Sequence, residues 1–392
     1  MLYFSNCTII AEDTISYPFI QANPNSIIFI EHCTLHNLNH FIETDDAARI
    51  IISDSKFYNP SASCINGFVD RYGSITIVNC LFEVNTEPDN SDESIIEIHS
   101  WGDERISSVI DCTILQTNPN WHTRIFSIDR ATFQNCNFEN IYLCQATDTA
   151  NIQNCKFDNC RYICSDSGTD ITIKNSLFYN CGPIDQNGSF FTSPRHFDHS
   201  MIRLESGTID SCKFYKCSGS LIKAQTNSVS YLGTEILNCD FVDLILPEQE
   251  DSISSLLNDG YGILCFSSNS GKQATVKNCN FNYIAANDSY IIATNLLDKQ
   301  RERTVLIQDC NFNNCITLRK DQKLIQEKSY YYGLISSKEK WENTTSIANC
   351  SGLDDIVSSD TFSSPLPAEL SDSLEQIWNN LQVGYDESKI NS

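Results

Sequence analysis

One short unit recurs along the chain: an apolar residue, two places later a small polar one, then cysteine, then a large apolar side chain two places further on. Within 151–164 it reads Ile152, Asn154, Cys155 and Phe157. Thirteen copies are anchored on the polar residues Asn6, His32, Asp54, Asn79, Asp111, Asn135, Asn154, Asn175, Ser211, Asn238, Asn278, Asp309 and Asn349. Two residues before every anchor stands an apolar side chain, from Phe4 and Ile30 to Ile307 and Ile347. One residue after it stands Cys, except at Ser55 and Ser176. Three residues after it comes Phe in nine copies, Ile9, Leu35 or Ile114 in three, and Gly352 in the last.

The parity of the unit dictates a bend. Apolar positions alternate up to two residues before the anchor, as in a half-buried strand, and resume one and three residues after it. A slip of one would turn every later side chain to the wrong face unless the backbone turned a corner. Asn and Asp tolerate the left-handed conformation of such a corner. The repeat therefore reads strand, one-residue corner, strand. Successive Cys or Ser positions lie 19 to 40 residues apart, so the shortest coil takes about twenty residues and the others carry insertions.

A chain that returns the same unit to the same place is expected to be a right-handed parallel β-helix, each coil stacked in register on the last. Thirteen coils at about 4.8 Å each would stack to roughly 60 Å. Leucine-rich repeats have a similar period but need a Leu-x-x-Leu-x-Leu frame, which is not seen here. Asn-Gly turns, the mark of a hairpin sandwich, occur only at Asn66-Gly67 and Asn187-Gly188. The repeat predicts one solenoid over 1–350 and a tail over 351–392. In the tail Leu370, Leu374, Ile377, Trp378 and Leu381 share a helical face, which predicts a capping helix from about Ser371 to Val383.

Fifty acidic against twenty-six basic residues leave a formal charge of -24, which repels phosphate backbones and argues against a nucleic-acid partner. No stretch approaches the run of apolar residues that spans a bilayer. Met1 to Phe4 runs straight into the first anchor with neither a leader nor a polar cap. The expectation is a fragment of a longer chain at the cell surface or outside the cell. Of nineteen cysteines, eleven occupy one inward position and are expected to be buried thiols stacked in a column. Cys160, Cys181, Cys217 and Cys315 each lie five residues later and are the better disulfide candidates.

The coil logic, with Asn at a tight corner, resembles the pectate-lyase-like β-helix superfamily. From Phe4 to Asn349 it resembles more closely the Asn-Cys-x-Phe coils of protist surface proteins and, loosely, the Phe-x-x-Asn repeats of chlamydial polymorphic outer-membrane proteins. Phe82 to Asn85 fits Phe-x-x-Asn, whereas Phe138 to Asn140 and Phe178 to Asn180 are Phe-x-Asn, and the Gly-Gly-Ala-Ile partner is missing. The resemblance implies surface adhesion.

A lyase or hydrolase on this fold would need carboxylates on neighbouring rungs and a basic residue beside them. The Asn-Thr-Asp, Gly-His-Gly and Arg-Ile-Lys signatures of polygalacturonase-like enzymes are not found; Gly352-Leu353-Asp354-Asp355 copies Gly-x-Asp-Asp where the repeat fails. Asp210, Asp240 and Asp309 are near rungs, with a solvated face as the default reading. His196 and His199 flank Asp198 at metal-ligand spacing, but a polar loop explains them as well. Cys155, Cys160 and Cys164 do not match zinc-knuckle spacing, and neither metal nor cofactor is expected. Of five glycosylation sequons, Asn6 and Asn349 fall on corners, leaving Asn187, Asn287 and Asn343 for glycans in a secreted chain.

Binding is expected on loops, which rigid scaffolds display. The candidates are Phe190, Phe191, Arg195, His196 and His199 in one insertion and Tyr330, Tyr331 and Tyr332 in another. The leading expectation is a non-enzymatic, rod-shaped, adhesin-like surface protein whose partner is a glycan or a host or cell-surface protein. The alternative is a carbohydrate-active β-helix enzyme or glycan-binding module.

Overall fold

The computed structural model of the chain describes all residues outside 12–17, 45–47, 61–62, 70–72, 86–93, 101–105, 119–123, 164–169, 183–199, 227–232, 247–261, 269–273, 287–289, 297–304, 318–322, 326–327, 332–339, 344, 354–367, 382 and 390–392. Contacts divide it into two units, Met1–Asp166 with Gln382–Ser392, and Ser167–Leu381. The first unit holds the coils anchored from Asn6 to Asn154, and the second those from Asn175 to Asn349. Both are parallel β-helices.

The corner forms as the parity of the repeat requires. All thirteen anchors are left-handed, with φ between 48° at Asp54 and 56° at Ser211 and Asp309. The bend does not interrupt the main-chain ladder. The anchor N–H donates forward, Asp54 to Val78 O at 3.0 Å, and the residue two later donates backward, Lys56 N–H to Cys33 O at 2.9 Å.

Each coil lays one strand before the corner and one after it. In the first unit Ile27–Glu31, Arg49–Ser53 and Ser74–Val78 pair in parallel, with Ile30 opposite Ile52 and Ile52 opposite Ile77. In the second, Gly207–Asp210, Thr234–Leu237, Ala274–Lys277 and Val305–Gln308 align Ile209, Ile236, Val276 and Ile307. A third parallel sheet of Ser200–Leu204, Ser220–Thr226, Gly262–Ser268 and Tyr290–Leu296 closes that unit. The antiparallel pair of described strands is Lys328–Tyr331 with Lys340–Asn343.

Register turns the repeat into columns. Phe178, Phe214, Phe241, Phe281 and Phe312 stack ring on ring at 4.5 to 4.9 Å with planes within 5°. In the first unit Phe57 stacks on Phe82 at 4.5 Å and Phe138 on Phe157 at 4.7 Å. Between those pairs the rung carries Ile114, and Phe126 fills the gap edge-on to Phe82 and Phe138. The last coil ends the column with Gly352, whose φ is +77° and where an added Cβ would lie 1.6 Å from Phe312 O. No Phe fits there.

The cysteine column is a hydrogen-bonded one. Cys136 Sγ shares its proton between Gln134 O and Val109 O, each at 3.3 Å. Cys155 in the first unit, and Cys212, Cys239, Cys279 and Cys310 on successive coils of the second, repeat the arrangement. The two Ser copies make the first of these bonds, Ser55 Oγ to Ser53 O at 2.7 Å and Ser176 Oγ to Lys174 O at 2.9 Å. The position thus selects a small donor, and Cys adds apolar bulk.

A second corner was hidden in the sequence. Five residues after the first, Asn37, Asn59, Asn140, Asn159, Asn180, Lys216, Asp243, Tyr283 and Asn314 are also left-handed, with φ from 48° to 59°. This corrects the disulfide reading of Cys160, Cys181, Cys217 and Cys315. They follow this corner as the main column follows the first, point inward, and form no disulfide. Cys217 Sγ, for example, reaches Phe178 O and Tyr215 O at 3.5 Å. No cysteine whose side chain is described is in a disulfide.

In the tail Ala368–Asn380 forms an α-helix, three residues earlier than its apolar face suggests. It sets Glu375 3.8 Å from Lys216 at the second corner of its own unit, with Ile377 exposed. No described helix is long and apolar enough to cross a membrane.

Candidate functional site

On the outer face of the first unit, the strand Ser94–Ser100 alternates inward Ile96 and Ile98 with outward Glu97 and His99. The next coil follows with Arg124–Gln134, whose Ile128 pairs with Ile98. One place further on, His99 meets Asp129. Its Nε2 lies 3.0 Å from Glu97 Oε1 and its Nδ1 3.5 Å from Asp129 Oδ1. Two carboxylates on neighbouring rungs thus grip one imidazole, with the buried Arg124 close enough to act on Glu97 through its charge.

The electrostatic consequence is a fixed cation. The bonds to Asp129 and then Glu97 push the His99 pKa up to about 10. The bond to His99 in turn lowers that of Glu97. An imidazolium held this way keeps its proton at neutral pH, so it can donate a hydrogen bond but is a poor general base. Alternation alone puts Glu97 and His99 on one face of their strand; only the coil register brings Asp129 to them.

Among the described residues, one group has the donor set for a metal ion. Glu31, His32 and Asp54 place a ligand atom each within 4.8 Å of one another at the first corner of adjacent coils, all half-buried. His32 Nε2 is 4.0 Å from Glu31 Oε1, Tyr3 Oη donates to Glu31, and Asp54 Oδ1 accepts Asn79 Nδ2.

The carboxylates singled out in the sequence do not converge. Asp210 accepts Asn238 Nδ2 at 2.8 Å, Asp240 accepts Asn280 Nδ2 at 2.8 Å, and Asp309 accepts Asn349 Nδ2 at 3.1 Å. They stand before, after and at the corner, each taken up by an Asn of the following coil. The binding-loop candidates Phe190, Phe191, Arg195, His196, His199 and Tyr332 lie outside the described residues; Tyr330 and Tyr331 are placed only by backbone, in the antiparallel pair. Of the sequons, Asn6 and Asn349 are corners as expected, but both are exposed, so the corner position does not bury them away from a glycan.

No protein-family model matches the chain, and no curated protein matches it. Among solved structures it is similar to a mannuronic acid specific polysaccharide family 6 lyase enzyme from human gut microbiota. That likeness has a TM-score of 0.39 and 10% identity, covering 98% of this chain and 96% of the other. It is also similar to the catalytic unit of a thermostable GH87 α-1,3-glucanase from Streptomyces thermodiastaticus strain HF3-3. There the TM-score is 0.29 and the identity 13%, over 90% of this chain and 64% of the other. Likenesses of this size carry no argument about activity. The fold rests on the strand register itself.

Proposed function

We propose that the chain is a non-enzymatic β-helix scaffold that displays binding loops at a surface, outside the cell. One observation carries the reading: thirteen corners keep φ between 48° and 56° while the chain between neighbouring anchors varies from 19 to 40 residues. All variation in length is accommodated away from the coil positions. That is the behaviour of a rigid frame whose loops are free to specialise. The 183–199 insertion with Phe190, Phe191, Arg195, His196 and His199, and the segment of Tyr330 to Tyr332, supply the aromatic and basic groups that stack on and bond to a glycan or a protein surface. A glycan array and surface-protease shaving of the source cells test the reading together. Loop-dependent retention and shaving of the intact chain are expected; a cytosolic chain that binds nothing contradicts it.

The His99 cluster favours a second reading, a carbohydrate-active site, because carboxylates on adjacent rungs beside a cation are what sugar chemistry on this fold needs. Reducing-sugar release from neutral and acidic polysaccharides, lost in E97Q and D129N, would establish it. No release from any of them would end that reading.

A further inference from the structure

The outer side of the corner carries a ladder with a direction. Asn79 Nδ2 donates back to Asp54 Oδ1 at 2.7 Å, Asn135 to Asp111 at 2.9 Å, and Asn154 to Asn135 at 3.2 Å. An Asp in this ladder accepts from the coil after it but has no N–H for the coil before. Where Asp111 follows Asn79, two acceptors meet, and Asn79 Oδ1 receives nothing from the next corner. Asn79 is only 2% exposed with residues 384–389 in place, so once covered its Oδ1 needs a donor from whatever covers it.

The chain's own last residues supply the missing donors. Asp386 N–H reaches Asn79 Oδ1 at 2.9 Å, Tyr385 N–H reaches Thr113 Oγ1 at 2.9 Å, and Gly384 N–H reaches Asn135 O at 2.6 Å. Asn79 Nδ2 also lies 3.3 Å from Asp386 O. Lys389 Nζ lies 3.7 Å from Asp111 Oδ2, and Glu387 Oε1 lies 2.9 Å from Lys56 Nζ. Lys56 also stands 5.9 Å from the Tyr385 ring. The segment descends the stack from the coil of Asn135 to that of Lys56. It must begin with glycine: Gly384 has φ +95°, and an added Cβ would lie 2.5 Å from Thr113 Oγ1.

We propose that this track is a binding site for an extended peptide of the form Gly-aromatic-Asp-Glu-x-Lys, and that residues 384–389 of a second copy of the chain can occupy it in place of the resident segment. Recognition is by main-chain N–H groups of three successive residues, a glycine-sized opening, and Lys56 and Asp111 for charges of opposite sign. Exchange follows from how little holds the segment. Glu387 is 69% and Lys389 50% exposed, and ion pairs that open to water contribute little. Beside these stand four hydrogen bonds and a tether, and a tether acts through effective concentration, which free peptide can match.

The test uses the full chain carrying G384V, which vacates the track, and a fluorescent peptide of residues 382–389. Anisotropy should show the peptide binding the folded variant about tenfold or more tightly than wild type, whose own segment competes. A peptide with Val at the Gly384 position should not bind, and adding K56E to the variant should weaken binding and its salt dependence. If G384V fails to fold, Y385P, which removes the donor to Thr113, takes its place. No binding to a folded variant, or equal binding by wild type and by the Val peptide, would overturn the proposal.

Discussion

Asn79 and Asp54, corner residues of consecutive coils, are joined by a 2.7 Å hydrogen bond from Nδ2 to Oδ1. Both are left-handed, at φ 52° and 48°. At an Asn corner one residue type therefore answers two needs, a backbone that most other side chains resist and a side chain that donates to the coil before.

The two needs can be separated at Asn238, where φ is 53° and the side chain links Asp210 at 2.8 Å and Asn278 at 3.2 Å. Asn238→Ala should cost about 2 kcal/mol, from left-handed strain of about 1–2 kcal/mol and the lost bonds. Asn238→Gly removes the strain and should cost less. Urea melts of both check this; equal costs would mean the conformation is not what Asn is there for.

Phe241 lies between Phe214 at 4.8 Å and Phe281 at 4.9 Å and is fully buried. Phe241→Ala should destabilise by about 3–5 kcal/mol, and Phe241→Leu by less than half of that. In a stack where each coil leans only on its neighbours, the loss should open the adjacent coils first, which hydrogen exchange would report.

The thiol columns predict slow labelling. Burial pushes Cys64 and Cys315 up to about 12, leaving almost no thiolate at neutral pH. Among the described cysteines, Cys7 and Cys350 are the ones not fully buried and should react with a thiol reagent first, the rest only on unfolding. Because Ser55 and Ser176 already occupy the column, Cys239→Ser should be tolerated better than Cys239→Ala, which fits the space but has no donor for Leu237 O.

The His99 cluster makes stability depend on pH. The folded pKa is raised from 6.5 to about 10, so the contribution is complete below the unfolded pKa and is lost as pH rises through the folded one. Wild type should exceed H99Q in stability by more at pH 6 than at pH 10. The His99 ring resonances should stay those of an imidazolium from pH 6 to 8.5, where an ordinary histidine titrates.

The sequence disclosed the columns and the first corner because Ile152, Asn154, Cys155 and Phe157 sit within six residues and recur. It concealed the second corner, where Asn159 and Asn180 share the role with Lys216 and Tyr283, types that seldom turn left-handed. Asn159-Cys160 and Asn180-Cys181 repeat the Asn-Cys pair of the first corner and were the available signal. The His99 cluster and the docking of residues 384–389 depend on register between distant segments, which composition and spacing do not encode. Asp386 gives no hint in its own neighbourhood that it answers Asn79.

The most direct measurement is an experimental electron-density map of the full chain, read at Cys212, Cys239 and Cys279. Their sulfurs should fall in one line, about 4.8 Å apart, with the strands beside them parallel. Sulfurs scattered among separate sites, or neighbouring strands running antiparallel, would contradict the coiled fold and everything derived from it.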